Sequence, residues 1–441
     1  MTVSPLSSAL FGPLLSDEET AALFSDEAVT AAMLDFEAAL AVAEERAGAI
    51  PSGSAARIAA AMESFRPNVE ALGAGSARSG HPVAALVGLL RKECGPAADH
   101  VHRGATAQDV LDTALAMRLS TALDVFDERI AAIVGTLAGV ARRHRGTVMA
   151  GRTRSQQAVP TTFGLKAAGW LAPLGRHRRR LAELRPRVLT VQLGGAAGTL
   201  GALGSRGIAV MEGLARELGL AAPPTPWHGQ RDGLAELASW LSLVSGSLAK
   251  MGRDLVLLAQ SEVGEVSEGS RGDSSAMPHK SNPVRSETLV AIGRANSGLL
   301  ASMHQAVIQE QERDGSAWTL EWLTLPQMTV LTGASLRLGL EVARSIEADK
   351  QRMMRNIESS AGTVLAEAAA IALGEHCSWE EARRIVGKAA RAARASGEGL
   401  LDILERETRA PVDWASLRDP STLLGSADAF IDRAIESANA P

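Results

Sequence analysis

LSTALDVFDERIAAIVGTLAGV, residues 119–140, places its apolar side chains in a regular rhythm. Leu119, Leu123, Phe126, Ile130, Ile133, Leu137 and Val140 follow one another in alternating steps of four and three. That spacing puts them on one face of an α-helix. Three heptads of this kind form a continuous apolar seam about 30 Å long, at about 1.5 Å per residue. The same alternation recurs in Leu237, Leu241, Val244, Leu248, Met251, Leu255 and Leu258. Each seam needs a partner helix to bury it, which predicts a bundle of long helices that subunits could share. Nearer the start, Val29, Met33, Phe36 and Leu40 mark a shorter helix that runs out near Gly48 and Pro51. No series of alternating strands is visible, so the expected class is all-α.

The rest of the chain bounds the answer. With 441 residues it exceeds one simple core and predicts two or three domains. We place boundaries near 105 and 345: an N-terminal helical domain (1–105), a central long-helix bundle (106–345), and a C-terminal domain of shorter helices (346–441). Ser378 followed by Glu381 reads as a capping box opening one of the latter. Tyrosine is absent, aromatics make up 3% and the net charge is −5, which argues against stacking platforms and against nucleic acid as a partner. The basic run at 176–180 reads as a solvated helix face. Cys94 and Cys377 are too few and too far apart for a disulfide framework or a thiolate metal site. No secretory signal and no bilayer-length apolar run is visible, so a cytoplasmic protein that does not enter the membrane is expected. Gly-rich 194–204 lacks the strand-turn-helix setting of a dinucleotide loop and reads as a connection or a close helix approach.

Chemistry concentrates in GDSSAMPHKSNPVRSE, residues 272–287. Two prolines and a glycine make this a loop. Paired hydroxyls (Ser274, Ser275), an ammonium (Lys280), an amide (Asn282) and Arg285 form a set able to move protons and hold carboxylates. The loop resembles the GSSxMPxKxNP signature of the fumarase/aspartase superfamily, with Asp273 where the family usually has glycine. Two more stretches resemble the same superfamily. His102 to Asp109 is similar to its HxGxTSxD segment, with Thr106 kept and Ala107 in place of serine. Asp109 could equally cap the long helix that follows. Gly151 to Pro160 is similar to its GRTHxQxAxP segment. The resemblance implies a three-domain all-α chain that forms a homotetramer, with active sites combining residues of three subunits.

One departure separates chemistries. Gln156 matches the family glutamine, but Arg154 stands where the family has a histidine that works with a glutamate aligned to Glu287. A guanidinium stays protonated and cannot exchange protons. Lyases that expel hydroxide, an amine or ammonia must manage the protonation of a poor leaving group. A carboxylate, with a pKa near ~4, can add or depart already ionised. Arg154 therefore fits lactone formation, offering fixed charge either to the substrate or to Glu287.

Thr225 to Asp232 (TPWHGQRD), with the SDEA segment at 25–28, resembles the cycloisomerase branch of the superfamily, whose members close a tricarboxylate diene into a γ-lactone. The resemblance implies Ser274 as proton donor, with Lys280, Ser275 and Glu287 as the other catalytic residues. It implies His102, Thr106, Arg154, Gln156, His228, Arg231, Met277, Asn282 and Arg285 as contacts to a small tricarboxylate. Some of these cations would be ordinary structural ion pairs. No metal or organic cofactor is needed. The alternatives are adenylosuccinate lyase or another β-elimination lyase, and a catalytically silent structural homologue.

Overall fold

A computed structural model describes residues 4–269, 277 and 280–439, together with the backbone of 272–273. The long elements follow in chain order. Helices α1 (Asp26–Arg46), α2 (Val83–Glu93) and α3 (Ala107–Arg143) precede a hairpin of β1 (Val148–Thr153) and β2 (Gln156–Thr162). Then come α4 (Phe163–Val188), α5 (Gly207–Leu218) and α6 (Asp232–Leu258). Strands β3 (Val266–Glu268), β4 (Gly272–Asp273) and β5 (Ser281–Asn282) lead to α7 (Val284–Ala306) and α8 (Gly315–Ser345). Strand β6 (Ile346–Ala348), α9 (Lys350–Glu358) and α10 (Trp379–Ser396) open the C-terminal stretch.

The seams behave as their spacing predicts. Every named seam residue of α3 and α6 is at most 4% exposed. Burying each large side chain is worth about 1.5–3 kcal/mol, so each seam is a strong folding element. This burial occurs within a single chain, so the seams themselves do not require a second subunit. Helix α3 runs 37 residues, about 55 Å at the α-helical rise.

Contacts divide the chain into two compact units. One comprises Met1–Glu128, His177–Gly246 and Ile292–Leu336; the other comprises Arg129–Arg176, Ser247–Ala291 and Arg337–Pro441. The three-segment division stands beside this as a proposal about chain order: α3 begins at Ala107 and α8 ends at Ser345, close to its two boundaries.

In the first unit, Ser25 starts α1 by accepting a hydrogen bond from the Ala28 amide at 3.1 Å. Asp26 and Glu27 fill the first turn, where negative charge suits the helix dipole. The SDEA segment is thus a helix start. Met33, Phe36 and Leu40 are buried on the inner face. Helix α5 lies close against it: a Cβ on Gly213 would sit 3.0 Å from Ala43 Cβ. The basic run at 176–180 is less solvated than its charge suggests, because His177 is buried and Arg178 pairs with Asp127 at 2.8 Å.

In the second unit, Val148 and Ala150 of the hairpin join a core with Ile357, Leu401, Leu404 and Trp414. Ser378 caps α10 by accepting from the Glu381 amide at 3.2 Å, as its spacing predicts. Strands do occur, in two-stranded ribbons β1–β2, β3–β6 and β4–β5, the longest strand having seven residues. The four strands outside the first ribbon have two or three residues, and the burial of β1 runs in a block rather than alternating, so the strands leave little period-two signal and the fold remains all-α. Among the described residues no helix is long and apolar enough to cross a membrane.

Candidate active site

In the first unit the HxGxT turn is built around Asp109. This carboxylate is fully buried and accepts four hydrogen bonds. Oδ1 receives the Gly194 amide at 2.9 Å and His228 Nε2 at 2.7 Å; Oδ2 receives the Thr106 amide at 2.9 Å and the Gly195 amide at 3.0 Å. The bond to Thr106 closes the start of α3, so the capping role is real. The Gly-rich stretch is a connection wrapped onto this carboxylate. A Cβ at Gly194 would meet His228 Cε1 at 2.8 Å, which explains the glycine. Because a carboxylate only accepts, His228 is oriented with its proton on Nε2. Its carbonyl receives Gln108 Nε2 at 3.1 Å.

His102 lies one turn earlier in a left-handed conformation, φ 60, which is unusual without glycine. Its Nδ1 is 2.6 Å from Glu37 Oε1 on α1. Burial pushes the imidazole down, yet the bond and charge of Glu37, with Asp109, outweigh it and hold the pKa above the ordinary histidine value. Thr106 Oγ1 accepts from Arg313 Nη1 at 2.7 Å, adding an exposed cation to the group.

Arg231 corrects one expectation. Its side chain is 1% exposed and lies between Asp112 and Glu321. Nε donates to Glu321, Nη1 to Asp112 and the Trp227 carbonyl, and Nη2 to both Asp112 and Glu321. A guanidinium has five N–H donors, and none is left for a substrate. Trp318 Nε1 also donates to Asp112, at 3.0 Å. The segment 225–232 therefore owes this arginine to structure. Trp227 is likewise stitched in place, its amide to Gln192 Oε1 at 3.0 Å and its indole to the Val191 carbonyl at 2.9 Å.

In the second unit the hairpin presents Arg154 and Gln156. Arg154 (φ 50) and Ser155 (φ 65) form the tight turn, both in the left-handed region that such a turn usually fills with Asn-Gly. Their strands are braced from behind. Arg152 donates twice to the fully buried Glu265, at 2.8 and 2.7 Å, and Asn356 Nδ2 donates to the same carboxylate at 2.8 Å. Gln157 Nε2 reaches the Asn356 carbonyl at 3.1 Å. Arg154 and Gln156 are exposed, and among the described residues Arg154 has no ion pair.

Strands β4 and β5 pair Gly272 with Asn282 and Asp273 with Ser281, bracketing the signature loop. Ser274 and Ser275 lie outside the described residues, as does His279. Lys280 is exposed, Met277 is 41% exposed and Asn282 is half-buried. Glu287 is exposed in the first turn of α7. The Glu287–Arg154 ion pair considered above is not formed within the chain among the described residues. Arg285 is committed elsewhere: Nε donates to Glu341 at 2.8 Å, and Arg337 shares that carboxylate.

The sequence reading missed Glu37 and Arg313. Glu37 carried a signal: an acid set between Phe36 and Leu40 on a buried stripe. Arg313 sits in a non-periodic connection and carried none.

A model of the lyase family matches residues 13–295. The chain is 43% identical to 3-carboxy-cis,cis-muconate cycloisomerase of Pseudomonas aeruginosa, over 94% of this chain and 93% of the relative. It is 38% identical to the Bradyrhizobium diazoefficiens enzyme of the same name, over 98% of both. The crystal structure of 3-carboxy-cis,cis-muconate lactonizing enzyme from Pseudomonas putida matches with TM-score 0.92 and 40% identity, over 98% of this chain and 99% of that one. The shared fold, the matched signature segments and near full-length identity establish that this chain belongs to the lyase family, in the fumarase/aspartase superfamily.

Proposed function

We propose that the protein closes 3-carboxy-cis,cis-muconate to 4-carboxymuconolactone, a step of protocatechuate breakdown. The observation that carries this reading is Arg154, a permanent cation held exposed, and without an ion pair among the described residues, on a braced hairpin turn where elimination lyases of the superfamily place a histidine. One substrate carboxylate adds to the distal double bond and forms the C–O bond. The displaced electron pair moves onto the conjugated carboxylate, giving an enediolate. Lys280 and Asn282 stabilise that charge. Ser274 delivers a proton to the carbon α to this carboxylate and is reprotonated from solvent, so the reaction is a net isomerisation. Ser275 and Glu287 complete the proton-handling set. His102, Thr106, Arg154, Gln156, His228, Met277 and Asn282 hold the tricarboxylate, Arg313 is added to them, and Arg285 contributes while paired with Glu341.

The protein acts in the cytoplasm as a homotetramer whose subunits complete one another's sites. Supporting this are large apolar side chains exposed on long helices: Leu243 (49%) and Leu257 (39%) on α6, Trp322 (37%) and Leu323 (62%) on α8. Exposed apolar side chains of this size support association where they join into a contiguous patch.

Incubation with 3-carboxy-cis,cis-muconate should remove the conjugated-diene absorbance. No change, together with turnover of adenylosuccinate, would overturn the reading in favour of an elimination lyase. Inertness to both would indicate a silent homologue.

A further inference from the structure

Helix α1 carries two acids on its buried side, Glu37 and Glu44, separated by two turns. Both are nearly inaccessible, at 2% and 0% exposed. Glu37 spends Oε1 on His102 Nδ1, while its Oε2 is buried with no hydrogen-bond partner among the described residues. Neither oxygen of Glu44 has a hydrogen-bond partner among the described residues. A buried carboxylate that lacks partners is costly unless a cation faces it or a proton neutralises it. The two acids resolve this differently, and the difference bears on the candidate site.

We propose that Glu37 is a positioning residue: its hydrogen bond fixes the His102 ring by Nδ1 and turns Nε2 toward the substrate, where the imidazolium form donates to a carboxylate. His102 Nε2 makes no hydrogen bond to any described residue, and the side chain is 16% exposed, so this donor remains open to a ligand. The left-handed backbone of His102 is strained and persists only where surroundings enforce it, and the bond to Glu37 is such an enforcement. The charges facing the ring come from several elements: Glu37 on α1, Asp109 on α3, Arg91 on α2, and His81 just before α2. Arg313 acts on His81, and Arg103 acts on Glu44. The two acids closest to His102 outweigh its burial and the cations, so the imidazolium is favoured more than in a free histidine. Glu44 takes the other route. Burial, then repulsion from Glu37, raise its pKa to about 8 against the pull of Arg103, so Glu44 is neutralised by a proton while Glu37 is faced by His102.

The inference rests on the proposed substrate only in its kinetic arm. The first measurement is an NMR titration of histidine-labelled protein without substrate, with the His102 signal assigned through His102→Gln. In the intact protein His102 should titrate above the ordinary imidazole range. In Glu37→Gln it should fall to or below that range, and Glu37→Asp should restore part of the rise. An ordinary titration in the intact protein, or one unmoved by Glu37→Gln, overturns the proposal. The second measurement is turnover of 3-carboxy-cis,cis-muconate, where Glu37→Gln should raise KM about tenfold, with kcat changed far less, since each ~1.4 kcal/mol of binding is a factor of ten. Equal loss in kcat alone would overturn the positioning role. If the intact protein does not consume this substrate, the function reading fails while the titration still decides the role of Glu37.

Discussion

Arg231 and Arg154 are both arginines in segments shared with lyase relatives, yet the fold uses them in opposite ways. Arg231 is sealed between Asp112 and Glu321 with every donor spent. Arg154 stands exposed at a hairpin turn, and its brace is a different arginine, Arg152 on Glu265. A saturated guanidinium holds a structure together. An unsaturated one on a rigid support is ready for a ligand. Cationic residues near a substrate site therefore divide by whether their hydrogen bonds are already committed.

The largest effects should separate these two roles. Arg231→Met strands two buried carboxylates and should cost about 3–5 kcal/mol of stability, read by urea unfolding. A variant that unfolds like the parent but binds substrate poorly would reverse the contrast. Ser274→Ala and Lys280→Met should each lower kcat by about 10²–10³, with unfolding unchanged, because they act on charge and protons that appear only in the reaction. A surviving rate in Ser274→Ala would move the proton donor to His279 or to His228, the imidazole oriented by Asp109. Arg154→Ala should raise KM about tenfold or more while stability stays within about 0.5 kcal/mol, the range of ordinary surface changes. Arg154→His should not improve turnover; a gain would mean that the site wants a proton shuttle after all.

The last effect concerns pH and stability alone. Folded Glu44 has its pKa raised from 4.5 to about 8, so the folded chain keeps a proton that the unfolded chain releases. The stability tied to it is full below about pH 4.5, declines as pH rises through about 8, and then levels. Glu44→Gln resembles the protonated acid and should flatten this decline in a series of Tm measurements between pH 5 and 9. An unchanged slope would show that Glu44 is ionised in the fold, removing the asymmetry between the two acids of α1.

Much of the fold was legible because helical burial leaves a periodic trace. The seams of α3 and α6, the face of α1 and the cap at Ser378 all emerged where spacing placed them. The hairpin carrying Arg154 left no such trace. Its left-handed turn is occupied by Arg and Ser rather than by the residues that usually announce one. The loop 272–287 was conspicuous by residue type, and the comparisons support its family, whereas the part each side chain plays remains a proposal.

Local chemistry and repetition, both written along the chain, determined the helical class and the family, and they carry the proposal for the kind of ligand. Which charges remain free was decided only in three dimensions. The partners of Arg231 lie 90 and 119 residues away, and that of His102 lies 65 residues away. Whether a charged group is spent or available depends on hydrogen bonds to distant residues, and no local pattern records those.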